Sequence, residues 1–194
     1  LMAAPQPPTV AQLQPVLDEV ERAGRIIRPL LQFARDTGDR PAPTPVELHA
    51  LVSELVTLHR PAMAQRQLTL TAALPATTVL ARPDALRQVL TNLLLNAADA
   101  TPAGGSISLV SAAADGKIGC SICDTGCGMP PEVLEQAGEP FFTTKPAGQG
   151  TGLGLTITRH LLHELGGTLS LASHAGRGTI ATVLLPPVPE HAHA

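Results

Sequence analysis

Glycine occupies every second position of the stretch 148–155, which reads Gly-Gln-Gly-Thr-Gly-Leu-Gly-Leu and leads into a segment with helical periodicity. Alternating glycines let backbone N–H groups approach a ligand closely, and the start of a helix adds a positive dipole end. The pattern is therefore typical of a phosphate site. It is not a P-loop, because no Gly-Lys-Ser/Thr follows, and no strand directly precedes it as a dinucleotide fingerprint requires.

Composition narrows the class of function. The chain has 194 residues, of which 44% are hydrophobic, so it can bury a core, and its net charge is −3. With three Phe, no Tyr and no Trp, it lacks both the basic excess and the stacking aromatics typical of nucleic-acid binding. No apolar run reaches the ~18–20 residues of a membrane span. We therefore expect neither nucleic acid nor membrane contact for this fragment. Because its first residue is not Met, we also expect it to come from a longer protein, in which a membrane anchor could lie upstream.

The apolar pattern predicts an α+β fold with helices layered on one face of a sheet. Heptad-spaced residues such as Leu13, Val20 and Ile27 predict a long helix over 12–35 that pairs with another helix, followed by a linker. Thr-Pro-Val-Glu at 44–47 predicts the start of the next helix, with Thr44 as its N-cap. The buried face of that helix is predicted to comprise Leu48, Leu51, Val52, Leu55 and Leu58. Further helices are predicted over 83–100 and 152–165, and strands over 68–72, 78–81, 106–112, 117–123, 168–173 and 179–185.

Three more segments carry polar or glycine signals that a packed core does not require. Asn92, Asn96 and Asp99 fall on one face of the apolar helix 83–100, either as a solvated face or as oxygen ligands for Mg²⁺. Asp-Thr-Gly-Cys-Gly-Met at 124–129 follows a strand, where a carboxylate can accept a hydrogen bond from an exocyclic amine. Residues 139–145 place two Phe and one Lys in a loop, which indicates either an anchored loop or a mobile lid.

The four segments together, in this order, resemble the ATP-binding domain of bacterial sensor histidine kinases in the GHKL ATPase superfamily. Residues 92–101 resemble the N-box, 124–129 the first glycine box, 140–145 the F-box and 148–155 the second glycine box. The resemblance covers residues 44–187. Within the family, the sequence is most similar to the nitrogen-regulation-type kinases. It implies a two-layer α/β sandwich, the Bergerat-type ATP-binding fold, that holds ATP between the N-box helix and a flexible lid.

Carried over position by position, the resemblance implies Mg²⁺ bound by Asn96, adenine contacted by Asp124, and a catalytic set of Asn92, Asn96 and Lys145. The implied nucleotide-binding residues are Asn96, Asp124, Gly126, Gly128, Phe142, Lys145, Gly150, Thr151, Gly152, Leu153, Gly154 and Thr179. One departure is Asp99, which stands where many members carry Lys in N-A-x-K. Phosphate neutralisation is therefore expected to depend on Mg²⁺, the glycine backbone and Lys145.

The helix over 12–35 resembles the second helix of the dimerisation and phosphoacceptor hairpin. This resemblance predicts residues 1–40 as a hairpin remnant and linker, 41–188 as the ATP-binding domain and 189–194 as a tail. It also implies a homodimer through the hairpin and a response regulator as partner. None of the seven histidines has the acidic neighbour and following proline of an acceptor site, so we expect no self-phosphorylation.

Two other functions remain open from the sequence, a GHKL-type ATPase and a non-catalytic nucleotide-binding regulatory module. Hydrolysing members of the superfamily carry Glu four residues before the Mg²⁺-binding Asn, but this chain has Asn92 there. An amide takes no proton at neutral pH, which favours phosphoryl transfer over hydrolysis. Cys120, Cys123 and Cys127 lack a fourth ligand and are predicted to be buried small hydrophobic residues in a reducing cytoplasm.

Overall fold

The computed structural model describes residues 41–146 and 150–188. The predicted helix over 12–35 and the predicted tail lie outside the described residues. The chain divides into two compact units. One comprises Arg40–Phe142 and Gly152–Ala194, and Thr143–Thr151 belong to the other.

The described residues form seven strands and four helices. The strands are β1 (Thr44–Glu47), β2 (Thr69–Ala73), β3 (Thr78–Ala81), β4 (Ser106–Ala114), β5 (Lys117–Asp124), β6 (Thr168–Ser173) and β7 (Thr179–Leu185). The helices are α1 (Leu48–Gln65), α2 (Pro83–Ala100), α3 (Pro131–Gln136) and α4 (Gly154–Glu164). The bounds of α2, β3, β6 and β7 coincide with the sequence prediction.

Five strands form the main sheet in the order β2-β4-β5-β7-β6. β2 pairs with β4 in parallel, and the other neighbours are antiparallel. The β4–β5 hairpin turns at Asp115 and Gly116, which both have positive φ, as tight hairpin turns require. β1 and β3 form a separate two-stranded antiparallel sheet. The predicted α+β class is confirmed.

Successive side chains of β5 point to opposite faces of the main sheet. Cys120 and Ile122 belong to the hydrophobic core, which they share with helix residues such as Leu90 and Leu94. Between them Ser121 points the other way, and its hydroxyl lies 2.8 Å from that of Thr182 on β7. Since successive strand residues face opposite sides, the helices cover one face of the sheet in a two-layer arrangement.

The predicted helix start at 44–47 is wrong, because these residues form strand β1. Pro45 lies opposite Leu80 of β3 in a two-stranded sheet, where a missing backbone N–H is tolerated at an outer edge. The helix begins at Leu48, after Glu47 in an extended conformation with no side-chain cap. A local cap signature was thus overridden by strand pairing.

Two further details differ from the prediction. Leu58 is 68% exposed, while Val56 and Met63 take buried places on α1 beside Leu48, Leu51, Val52 and Leu55. The short helix α3 was not predicted, and none of its residues is buried. No helix among the described residues is both long and apolar enough to cross a membrane.

Candidate nucleotide site

Asp124 ends β5 with a carboxylate that is held by backbone donors. Its Oδ1 accepts hydrogen bonds from the N–H of Gly126 at 2.9 Å and of Thr179 at 3.1 Å. Desolvation by partial burial raises the pKa of this carboxyl, and the two backbone hydrogen bonds counteract part of that rise. The structure thus joins the first glycine box to Thr179 on β7 through one carboxylate oxygen.

Three glycines are required around Asp124 because other backbone segments pass where a side chain would be. A Cβ on Gly126 would overlap the carbonyl oxygen of Ala100, the last residue of α2. Gly128 and Gly178 both have positive φ, and a Cβ on either would overlap a carbonyl oxygen, that of His174 or of Asp124 respectively. The loop therefore packs as bare backbone between the end of α2 and the β6–β7 turn.

Ser173 is a site residue that the sequence analysis missed. Its hydroxyl accepts from the N–H of Met129 at 2.8 Å, donates to the carbonyl of Gly178 at 3.0 Å, and lies 2.9 Å from the hydroxyl of Thr179. This buried serine ties the end of the glycine loop to β7. Its place as the last residue of a strand before a glycine-containing turn was the available signal.

Asn92 and Asn96 are partly buried on α2, whereas Asp99 is exposed. The start of α4 lies beside Asn96, since a Cβ added to Gly154 would be 3.9 Å from its Nδ2. The structure therefore brings the N-box amide together with the end of the second glycine box. Asp99 forms an ion pair with Arg66, 3.0 Å from Oδ1 to Nη1.

The F-box joins the second glycine box through the backbone. The N–H of Phe141 donates to the carbonyl of Gly152 at 3.1 Å, and both residues have positive φ. Phe141 is 69% exposed, Phe142 is partly exposed and Leu153 is buried. Just before them, the carbonyl of Gly138 accepts from the hydroxyl of Thr156 on α4 at 3.1 Å.

The predicted phosphate-binding residues Lys145, Gly150 and Thr151 belong to the second compact unit. There the N–H of Lys145 donates to the hydroxyl of Thr143 at 3.2 Å. A Cβ on Gly150 would lie 3.2 Å from the Cβ of Lys145. The phosphate contacts of Lys145, Gly150 and Thr151 therefore remain predictions.

The three cysteines have different surroundings. Cys120 is buried in the core, and this burial raises the pKa of its thiol to about 12. Cys123 is partly buried, which also raises its pKa. Cys127 is exposed within the glycine loop, so the prediction of a buried residue is wrong there. Within 41–146 and 150–188, no group of three His, Cys, Asp or Glu is placed to hold a metal.

The residues around Asp124 and Asn96 fit a nucleotide with a bound divalent cation. A half-buried carboxylate held through one oxygen has a second oxygen suited to an amine donor, and an amide oxygen is a ligand that Mg²⁺ accepts. At Gly126 and Gly152 other backbone lies where a side chain would be, so both glycine segments present backbone without side chains. These residue types are the ones that a base amine, a divalent cation and phosphate oxygens require.

Comparison with known proteins decides the family. Residues 81–189 match the family described as histidine kinase-, DNA gyrase B-, and HSP90-like ATPase. The chain belongs to this family. It is 34% identical over 175 residues to the sensor histidine kinase ZraS of Escherichia coli (strain K12), covering 89% of this chain and 37% of ZraS. What it shares with such GHKL-type sensor kinases is their ATP-binding domain.

Solved structures agree with this assignment. The catalytic domain of histidine kinase ThkA superimposes with a TM-score of 0.68 at 29% identity, covering 76% of this chain and 97% of that domain. Full-length ShkA, solved in complex with AMPPNP, gives a TM-score of 0.78 at 28% identity and covers 94% of this chain and 40% of ShkA. The nitrogen-regulation subfamily stays a prediction.

Proposed function

We propose that this chain is the catalytic ATP-binding core of a sensor histidine kinase. It transfers the γ-phosphoryl group of ATP to a histidine on a dimerisation hairpin, for relay to a response regulator. The observation that carries this proposal is the Asp124 carboxylate held between Gly126 and Thr179, next to an N-box helix that presents Asn96 to the second glycine box. The match to the kinase ATPase family and the AMPPNP complex of ShkA support it.

In this proposal the base and the phosphates bind at two ends of one site. Asp124 accepts the exocyclic amine of adenine through Oδ2, since the two backbone donors already engage Oδ1. Asn96 ligates Mg²⁺, which supplies charge neutralisation for the triphosphate when bound. The backbone of Gly152 and Gly154 at the start of α4 binds the phosphates, and Lys145 and Thr151 stay predicted phosphate contacts. Catalysis then consists mainly of positioning and charge stabilisation.

The identity of residue 92 favours transfer to histidine over ATP hydrolysis. Asn92 lies one turn before Asn96 on α2 and is partly buried. An amide there cannot take a proton from water at neutral pH, so this position supplies no general base. This argues against the ATPase alternative, and the presence of all four sequence boxes argues against a non-catalytic nucleotide-binding module.

Two measurements on the 194-residue chain test the proposal. Calorimetry with ATP, with and without Mg²⁺, should show Mg²⁺-dependent binding that Asn96→Ala abolishes, because the variant loses an oxygen ligand but little core volume. A dimerisation hairpin from a sensor kinase, added as a second chain with labelled ATP, should then acquire acid-labile phosphohistidine. Free phosphate release without labelled histidine would instead indicate an ATPase, and no ATP binding would refute the proposal.

A further inference from the structure

The C-terminal end of α2 is unusual for a helix end. Its last turn contains no basic residue and carries Asp99, whose negative charge lies at the negative end of the helix dipole. The last four carbonyl groups of any helix also lack partners within the helix. This end must therefore be stabilised by groups from outside the helix.

Three such groups bind carbonyls of the last turn. The hydroxyl of Thr101 donates to Ala97 at 2.6 Å, and Nη2 of Arg66 donates to Ala98 at 2.8 Å. The N–H of Cys127, from the first glycine box, donates to Ala100 at 2.9 Å. The same Arg66 guanidinium contacts Asp99 through Nη1 at 3.0 Å. One side chain thus offsets the misplaced charge and binds a helix-end carbonyl.

The backbone of Arg66 is fixed by its own surroundings. It is the C-terminal cap of α1, and its N–H donates to the carbonyls of Ala62 and Met63. The carbonyl of the next residue, Gln67, accepts from Gly104, just beyond α2. The guanidinium therefore approaches α2 from an anchored position, although its side chain is 43% exposed.

The end of α2 also supports the glycine loop of the nucleotide site. Ala100 receives the Cys127 N–H, and its carbonyl oxygen occupies the space where a Gly126 side chain would be. Gly126 in turn donates to Asp124 Oδ1. A shift of the last turn of α2 would move this loop, and with it the carboxylate that we propose for adenine.

We propose that Arg66 is a positioning residue for the nucleotide site. By binding Ala98 and Asp99 it holds the last turn of α2 where the Ala100 carbonyl receives Cys127, and so keeps Asp124 in place. This inference rests on the proposed function for the role of Asp124. Arg66 lies outside all four sequence boxes.

The chain provides a matched control on the same two helices. Nη2 of Arg87 on α2 lies 3.0 Å from Oε2 of Glu54 on α1. This exposed pair joins two side chains, and ion pairs of this kind contribute little to stability. Arg87→Ala therefore removes an arginine and an ion pair that has the same 3.0 Å separation as Arg66–Asp99. Arg87 lies near the N-terminal end of α2, away from its last turn.

The experiment compares Arg66→Ala, Arg66→Lys and Arg87→Ala by ADP calorimetry and by amide exchange at Cys127. We expect Arg66→Ala to weaken ADP binding about fivefold or more and to accelerate Cys127 exchange by a similar factor, since a charged hydrogen bond is lost. Arg66→Lys keeps the charge near Asp99 but not the planar guanidinium that binds two acceptors. It should therefore show most of the loss of ADP affinity and most of the acceleration of Cys127 exchange. Arg87→Ala should change each by less than about twofold.

Two outcomes would overturn the inference. If Arg66→Lys keeps the ADP affinity and the Cys127 exchange rate of the wild type, a positive charge near Asp99 is sufficient and the hydrogen bond to Ala98 is not needed. If Arg66→Ala and Arg87→Ala have equal effects, Arg66 contributes only a general contact between α1 and α2. If Arg66→Ala does not fold, Arg66→Lys still decides. If the wild-type chain binds no ADP, the proposed function fails, whereas Cys127 exchange continues to test the positioning role of Arg66.

Discussion

Asp124 combines two opposing influences in one carboxyl group. Partial burial disfavours its charge, and two backbone N–H donors favour it, yet the pKa is raised on balance. Desolvation therefore outweighs the two hydrogen bonds, and ionising this carboxyl costs more free energy in the folded chain than in the unfolded one. Such a group is typical of a site that is maintained for binding, because stability alone would favour a neutral residue.

Asp124→Asn tests whether this carboxylate recognises adenine. The amide oxygen can still accept from Gly126 and Thr179, but the amide then presents N–H₂ to the amine of the base. Because a charge-assisted hydrogen bond is lost, we expect calorimetry to show ADP affinity lowered about tenfold or more. Binding of inorganic triphosphate, which lacks the base, is the control and should be unchanged. ADP binding as tight as in the wild type would reduce Asp124 to a turn residue.

The raised pKa of Asp124 also predicts a pH dependence of stability. Between the ordinary carboxyl pKa and the raised one, the folded chain binds more protons at this group than the unfolded chain does. Its contribution to the unfolding free energy therefore falls as pH rises through that window. Urea unfolding at a series of pH values should show the wild type losing stability relative to Asp124→Asn there. A relative gain with rising pH would mean that the backbone hydrogen bonds outweigh desolvation.

At the level of single residues, the sequence predicted those site residues whose type stands out within a motif, such as a carboxylate or a glycine. Asp124, Gly126 and Thr179 are brought together as the motif order indicated. Ser173 and Arg66 were missed, because their importance comes from neighbours that are distant along the chain. The position of Ser173 at a strand end before a glycine-containing turn was a signal, but a weak one, because many serines at strand ends bridge no loops.

At the scale of elements, prediction succeeded where a segment is long and its periodicity strong. α2 was bounded correctly because Pro83 favours the first helical turn and apolar residues repeat over five turns. β1 was predicted as a helix start because four residues with a cap signature carry little information against pairing with β3. α3 was missed because a six-residue helix with no buried side chain leaves no periodic signal.

The burial pattern predicts that α3 opens easily in the absence of nucleotide. None of its side chains is buried, and it is held mainly at its borders, by Met129 bound to Ser173 and by Gly138 bound to Thr156. Because little burial means a low local opening free energy, the amides of Val133 and Leu134 should exchange about a hundredfold faster than those of Leu90 and Leu94. ADP should slow them. Exchange as slow as in α2 would contradict a lid here.

At the scale of the whole molecule, the chain corresponds to only part of the sensor kinases to which it is similar. It spans 37% of the length of ZraS, and the matched family covers residues 81–189. Phosphoryl transfer requires a nucleophile held in line with the γ-phosphate. In the proposed function Asp124, Asn96 and the glycine boxes recognise the nucleotide, but none of them is such a nucleophile. The proposed function therefore requires an acceptor from another segment or another chain.

The surroundings of the histidines predict that this chain alone does not label itself. His49 is exposed on α1, and His160 lies 3.3 Å from Glu164 on α4, so each is held on a helix of the ATP-binding domain itself. None of the seven has the acceptor sequence context. The 194-residue chain, incubated with labelled ATP and Mg²⁺, should bind nucleotide yet yield almost no acid-labile phosphohistidine.

Adding a hairpin that carries an acceptor histidine should restore labelling, and the label should lie on the hairpin. Asn96→Ala is the control that removes Mg²⁺-dependent ATP binding and should abolish transfer, while Arg87→Ala should leave it unchanged. Ile27→Asp places a charge in the predicted apolar seam, so it should block docking of the hairpin without weakening ATP binding. Stoichiometric label on His49, His59 or His160 in the chain alone would refute transfer to an external acceptor, because the ATP-binding domain would then contain its own nucleophile.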